Sequence, residues 1–239
     1  MNTILFFIVV FLSYTMQGIT GFAGTILAMP FSISLMGYEI AKPVLNAVGF
    51  FSGLYIVVIH SSYVNWQEVK KMIFYMLQGI VLGLLVYHIQ LVQVDFLYII
   101  LIVFIFYIGL KGLFIKGTNK EYSKTMTRIL LIFAGLIHSF FATGGPLVIG
   151  YMTNKTKDKD VFRATLSAVW MFLNGFILGS DIINGVFTTD LITLTAIVVP
   201  ILFFSMWIGG KIYRYIDQAL FMKITYIVLI LIGIFMIAT

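Results

Sequence analysis

An apolar run interrupted by glycines, and present twice, limits this chain more than any other feature. The first copy reads Gly18-Ile-Thr-Gly21-Phe-Ala-Gly24-Thr25 and runs on to Pro30, followed by Ala41-Lys42-Pro-Val-Leu-Asn46. The second reads Gly135-Leu-Ile-His138-Ser-Phe-Phe-Ala-Thr143-Gly144-Gly145-Pro146, followed by Phe162-Arg163-Ala-Thr-Leu-Ser167. The second copy is slightly longer between its proline and its basic residue. The extra residues fall in the charged stretch Lys155-Thr156-Lys157-Asp158-Lys159. A glycine break within an apolar run, once per half, is the sequence sign of a duplicated membrane transporter.

Composition agrees. Of 239 residues, 61% are hydrophobic and only 10% charged, and the mean hydropathy is +1.08. A water-facing domain of this size needs far more polar surface. Runs such as Phe96–Gly109 and Ile224–Ala238 suit a bilayer. The segment Ile4–Leu12 has the length of a signal-peptide core. It lacks a basic flank and leads into the first motif, so retained structure is expected. The net charge of +6 reads as a positive-inside bias: the basic residues cluster in short loops, with no aromatic-rich basic surface for nucleic acid. With no cysteine, disulfides, thiolate metal sites and a cysteine nucleophile are excluded. No His-Glu-x-x-His, Gly-x-Ser-x-Gly, Walker loop or paired intramembrane aspartates occur, so the reading is not an enzyme, with no cofactor and no metal.

The fold class expected is all-α, a polytopic integral membrane protein. Apolar segments fall at 3–16, 26–37, 44–60, 69–88, 94–115, 129–142, 146–152, 162–183, 189–208 and 219–238. The polar stretch Lys116–Arg128 divides them, giving a first repeat at 1–115, a cytoplasmic linker at 116–128 and a second repeat at 129–239.

Loop charges then test the topology. The linker, with Lys116, Lys120, Lys124 and Arg128, belongs inside. Counting outward, the turn with Lys70 and Lys71 falls inside, and the turn at 90–94, with no Lys or Arg, falls outside. If 129–152 crossed once, Lys155, Lys157, Lys159 and Arg163 would lie outside. If the chain dips in to Thr143-Gly144-Gly145 and returns, they lie inside, as do Lys211 and Arg214. Each half then holds one re-entrant hairpin and three spans, and the odd number of crossings inverts the second half. Read as Asn2–Met16, the first hairpin limb is roughly 22 Å long, short of the ~30 Å hydrocarbon core. A rival reading splices each hairpin into one long broken helix, giving eight spans and parallel repeats.

Non-helical backbone at membrane depth persists where it is buried in protein or lines a wet cavity. Gly21 and Gly24 permit a turn and close approach, and Thr25 adds a hydroxyl. Thr143 is a candidate N-cap before Gly144-Gly145, with Pro146 at the first helical position and Pro30 as its counterpart. Each following limb would start near the bilayer middle with open N–H groups, and two such ends form a pocket for a small anion. The substrate-binding candidates are therefore Gly21, Gly24, Thr25, Asn46, Thr143, Gly144, Gly145 and Ser167. Lys42 and Arg163 are candidates for gating or anion attraction, against interfacial snorkelling. His138 is a candidate proton-coupling group. His60 and His88 fall at segment ends. The competing account of the glycines is close helix packing.

These residues resemble the sulfite exporter TauE/SafE family of membrane permeases. The resemblance rests on Gly18-x-x-Gly21-Phe-x-Gly24 with Pro30, repeated as Gly135 through Gly144-Gly145-Pro146, and spans nearly the whole chain. Ser139-Phe140-Phe141-Ala142 departs from the glycine-rich pattern. The resemblance implies a cytoplasmic-membrane transporter of small anions, often sulfur-containing, such as sulfite or an organosulfonate. The expected partners are that anion and the lipid bilayer, with a homodimer as an option and nucleic acid excluded. The rival from another class is a membrane-embedded subunit or binding module without transport of its own.

Overall fold

A computed structural model describes residues 2–88, 94–114, 122–141 and 145–238. Among them it forms α1 (Asn2–Thr20), α2 (Ala23–Met36), α3 (Tyr38–His60), a 3₁₀ turn (Ser61–Tyr63), α4 (Trp66–His88) and α5 (Val94–Phe114). The second half forms α6 (Lys124–Phe141), α7 (Gly145–Lys155), α8 (Lys159–Ile183), α9 (Thr189–Arg214) and α10 (Gln218–Ala238). Over the described residues, each expected apolar segment lies on one of these helices to within a residue of its end. Four of them, α1, α3 with its 3₁₀ turn, α8 and α9, are long and apolar enough to cross a membrane. Ordinary signals start several: Ser123 Oγ accepts from the Met126 N–H at 3.2 Å, Asp158 Oδ1 from Asp160 at 2.9 Å, and Thr188 Oγ1 from Leu191 at 3.4 Å. The turn at 90–94 falls almost wholly outside the described residues, as does the linker up to residue 121, and Lys124–Arg128 already belongs to α6.

In each half the two helices that flank a glycine break pack side by side. The Asn2 side chain, at the start of α1, donates to the carbonyl of Leu35 at the end of α2, at 3.3 Å. The Tyr122 N–H, just before α6, donates to Asn154 Oδ1 near the end of α7, at 2.8 Å. The limbs differ in length, however. At 1.5 Å per residue α1 extends about 28 Å, whereas α2 extends about 21 Å and α7 about 16 Å. Only the second limb of each pair is short, which corrects the 22 Å expected for the first.

The helices sort into two compact units, each drawing on both halves of the sequence. The first comprises Met1–Asn65 and Arg163–Asp217, so α1, α2 and α3 pack with α8 and α9. A Cβ on Gly18 of α1 would stand 2.9 Å from the Met206 carbonyl and 3.0 Å from Gly209 Cα on α9. Glycine at both positions lets the backbones touch, and around them Phe6, Val10, Tyr14, Leu45, Leu202 and Met206 form a fully buried core. On α3, a Cβ at Gly49 would meet the Asn174 side chain and one at Gly53 the Ser167 carbonyl, both at 2.7 Å. The Asn65 N–H then donates to Thr165 Oγ1 at 3.0 Å. Rising numbers on α3 meet falling numbers on α8, so the two helices run antiparallel.

The second unit comprises Trp66–Phe162 and Gln218–Thr239. It repeats the same contact with other helices: a Cβ on Gly79 of α4 or Gly135 of α6 would collide with the carbonyls of Ile132 and Met76. Here α5 packs on α10 and α7, where a Cβ at Gly233 would lie 3.1 Å from the Phe106 ring. Phe162 and Phe221 meet edge to face at 5.6 Å.

Overpacking a backbone contact of this kind costs about 1–3 kcal/mol. Gly209→Val is therefore expected to lower the thermal unfolding temperature of the purified protein by several degrees. Gly179→Ala, with nothing within 4 Å of the new methyl, should leave it unchanged. Equal melting of the two variants would remove the glycine contact from this account.

Candidate functional site

The first break lies in the first unit and is built to satisfy its own backbone. Gly21 adopts φ +84°, open to glycine at little cost, and this ends α1. From the last turns of α1, Gln17 reaches across the break. Its Oε1 accepts from the Gly24 N–H at 2.7 Å, and its Nε2 donates to the Gly21 carbonyl at 3.3 Å, with Ser52 Oγ at 3.5 Å. The Thr20 hydroxyl accepts from the N–H groups of Phe22 (3.4 Å) and Ala23 (3.3 Å) while donating to the Met16 carbonyl. The Phe22, Ala23 and Gly24 amides at the start of α2 are thus engaged by side chains of α1, so these N–H groups are not open as expected. An orphan amide buried in protein costs about 1–3 kcal/mol, which explains why polar residues sit in an otherwise apolar helix.

Helix α8 closes on the break from the other side. A Cβ at Gly21 would stand 2.8 Å from the Arg163 carbonyl and 3.0 Å from its Cγ. Ser167 donates to the Arg163 carbonyl at 2.8 Å and lies 3.2 Å from the Gly21 carbonyl. Arg163 is only 3% exposed, and its guanidinium sits 4.4 Å over the Tyr213 ring of α9. A desolvated cation–π contact contributes on the order of 2 kcal/mol and fixes the fork's plane. Thr25 shares a 2.9 Å hydrogen bond with the buried Tyr14 hydroxyl, which also lies 3.3 Å from the Leu45 carbonyl.

The structure therefore brings Gly21, Gly24, Thr25, Ser167 and Arg163 together. Asn46 lies further along α3, donating to the Asn174 carbonyl at 3.3 Å. Lys42 does not join them. It lies 5.5 Å over the Tyr38 ring and within electrostatic range of Asp181, at the far end of α8 from Arg163. Those two ends are about 27 Å apart along the helix.

The neighbours of the break give its level within the unit. Its neighbours Arg163 and Tyr213 fall in the second turn of α8 and the last turn of α9. The tip is level with the ends of those helices, not with their middles. Pro30, expected near the start of the second limb, stands well inside α2, where its ring cannot donate to the Ile26 carbonyl. Pro146 does open α7, directly after Gly145.

The second break belongs to the second unit. Thr143 and Gly144 lie outside the described residues, and Gly145 begins α7 and is buried. His138 is buried in α6, one turn beyond the packing contact of Gly135. Among the described residues no group of acidic, histidine and cysteine side chains could hold a metal. Gln17, Tyr14, Ser52 and Tyr213 complete the first site and were not singled out from the sequence. The signal was present for Gln17 alone, as a glutamine just ahead of the motif's first glycine in an apolar helix.

Removing the Gln17 bridge strands the buried Gly24 amide. Gln17→Leu is expected to destabilise the protein by about 1–3 kcal/mol, and Gly21→Ala by at least as much through its positive φ and the clash with Arg163. Chemical unfolding of the purified variants reads both effects. Wild-type stability in Gln17→Leu would show that the α2 amides are satisfied in another way.

The family model for Sulfite exporter TauE/SafE matches residues 5–236. No curated protein and no solved structure matches the chain.

Proposed function

The chain belongs to the sulfite exporter TauE/SafE family, a family of membrane transporters of sulfite and related anions, and we propose that it is a secondary transporter moving a small anion across the cell membrane. Sulfite or a short organosulfonate is the substrate class. The observation that carries this reading is the buried Arg163 guanidinium seated against a broken helical hairpin. A buried cation is expensive, and it persists where an anion is to be recognised or a path lined. Because the α2 amides are engaged internally, Arg163 and the positive end of α2 supply the attraction.

In this proposal the chain is multi-pass, with α1–α2 and α6–α7 as re-entrant hairpins and residues 1–115 and 129–239 as inverted repeats joined by the cytoplasmic linker 116–128. The antiparallel course of α3 and α8 supports the inversion, since these corresponding helices would run parallel in an eight-span arrangement with parallel repeats. A monovalent anion leaving a cell that is negative inside is driven outward by about 2.3 kcal/mol per 100 mV, so export needs no coupling ion. If protons do couple, His138 is the group placed to carry them.

Two measurements test this. In proteoliposomes containing only this chain, Arg163→Gln should reduce sulfite flux at least tenfold and Arg163→Lys by less, with both variants purifying as a single species. Undiminished flux in Arg163→Gln overturns the assignment of the site, and no flux in wild type overturns transport. Single cysteines report topology, since the native chain has none. One at Thr156 should label from the cytoplasm and one at Asn184 from outside.

A further inference from the structure

The second unit contains a cavity of about 300 Å³ at the end where α4 and α6 begin and α7 finishes. Four cations line it: Lys71 from α4, Lys124 and Arg128 from α6, and Lys155 from α7. Among the described residues the neighbouring carboxylate is Glu68, 8% exposed. It accepts from Lys71 at 3.1 Å and from the Tyr151 hydroxyl, and lies 4.0 Å from Lys155. Among the described residues, one carboxylate thus stands against four cations. Like charges crowded around a partly enclosed space repel one another, and an anion entering that space relieves the repulsion.

The wall is ordered by contacts of its own. The Arg128 Nε donates to the Tyr75 hydroxyl at 3.1 Å, fixing one side of the guanidinium fork. Asn154 ties the connection before α6 to α7 through the Tyr122 N–H. Tyr122 also lines the cavity. The first turn of α6 adds the positive end of its dipole.

We propose that this cavity binds a phosphate-bearing anion, held between the Lys71 and Lys155 ammonium groups on one side and Lys124 and Arg128 on the other. An arginine fork among lysine point charges suits the several oxygens of a phosphate monoester. The volume exceeds what a bare oxyanion fills and leaves room for the group to which the phosphate is attached. Two sources share this chemistry, a phospholipid headgroup and a soluble phosphate. The inference does not depend on transport, because it concerns equilibrium binding to the purified protein.

The test is ligand-induced thermal stabilisation in detergent at constant ionic strength. The probes are inorganic phosphate, short-chain phosphatidic acid and short-chain phosphatidylcholine. Phosphatidic acid should stabilise wild type where phosphatidylcholine does not. The double variant Lys124→Gln/Arg128→Gln should bind it at least tenfold more weakly. Stabilisation by inorganic phosphate over the same concentration range identifies a soluble ligand, and stabilisation by the lipid alone identifies a headgroup; either supports the site. Equal stabilisation by both lipids, or a double variant within twofold of wild type, overturns it. Should the double variant fail to purify as one species, Lys155→Gln, which approaches from a different helix, decides by the same comparison with at least a threefold loss expected.

Discussion

The contact between glycine-bearing helix backbones holds each unit together. In lipid there is no hydrophobic gain from hiding one apolar helix against another, so association depends on how closely the surfaces meet. Gly18 and Gly209 bring α1 onto α9, and Gly79 and Gly135 bring α4 onto α6. Both pairs join a helix from the first half of the chain to one from the second. The composition of each unit follows from them: α1, α2 and α3 gather with α8 and α9, and α6 and α7 gather with α4, α5 and α10.

The same economy of space shapes the first break. Closing α8 over Gly21 excludes water from the tip, and dry backbone must find partners within the protein. Gln17, Thr20 and Ser167 supply them. With the amides occupied, the guanidinium of Arg163 becomes the strongest positive element at the tip. Its stacking on Tyr213 holds it in place.

Much of the fold was legible in the sequence, because bilayer thickness and helix rise translate directly into runs of apolar residues. The ten segments, their order and the two breaks follow from that translation. Helix pairing does not: hydropathy says that α1 and α9 are buried, not that they touch. Gly18 and Gly135 belong to the repeated motif, and the structure assigns them to packing, whereas Gly21 bends the chain. Sequence alone could not separate these uses of one residue type, since the difference lies in φ and in what stands opposite. For the same reason Lys71, Lys124, Arg128 and Lys155 were readable as markers of membrane sidedness but not as neighbours around one cavity. Their convergence depends on two hairpin limbs and α4 ending at the same level. Lys42 and Arg163 teach the converse, because matching positions in a repeat need not become neighbours in space.

The exchange of helices between halves bears on how the chain is made. Helix α1 leaves the ribosome well before α9 exists, and at 5–20 residues per second the wait is roughly 10–40 s. During that interval the Gly18 face of α1 meets only lipid or the insertion machinery, and the Gln17 bridge has no α8 above it. The first unit can close only after Arg163–Asp217 has been synthesised. Assembly of this protein is therefore a late, long-range event, and a chain that stalls after α5 has inserted helices without the partners that would make them a unit.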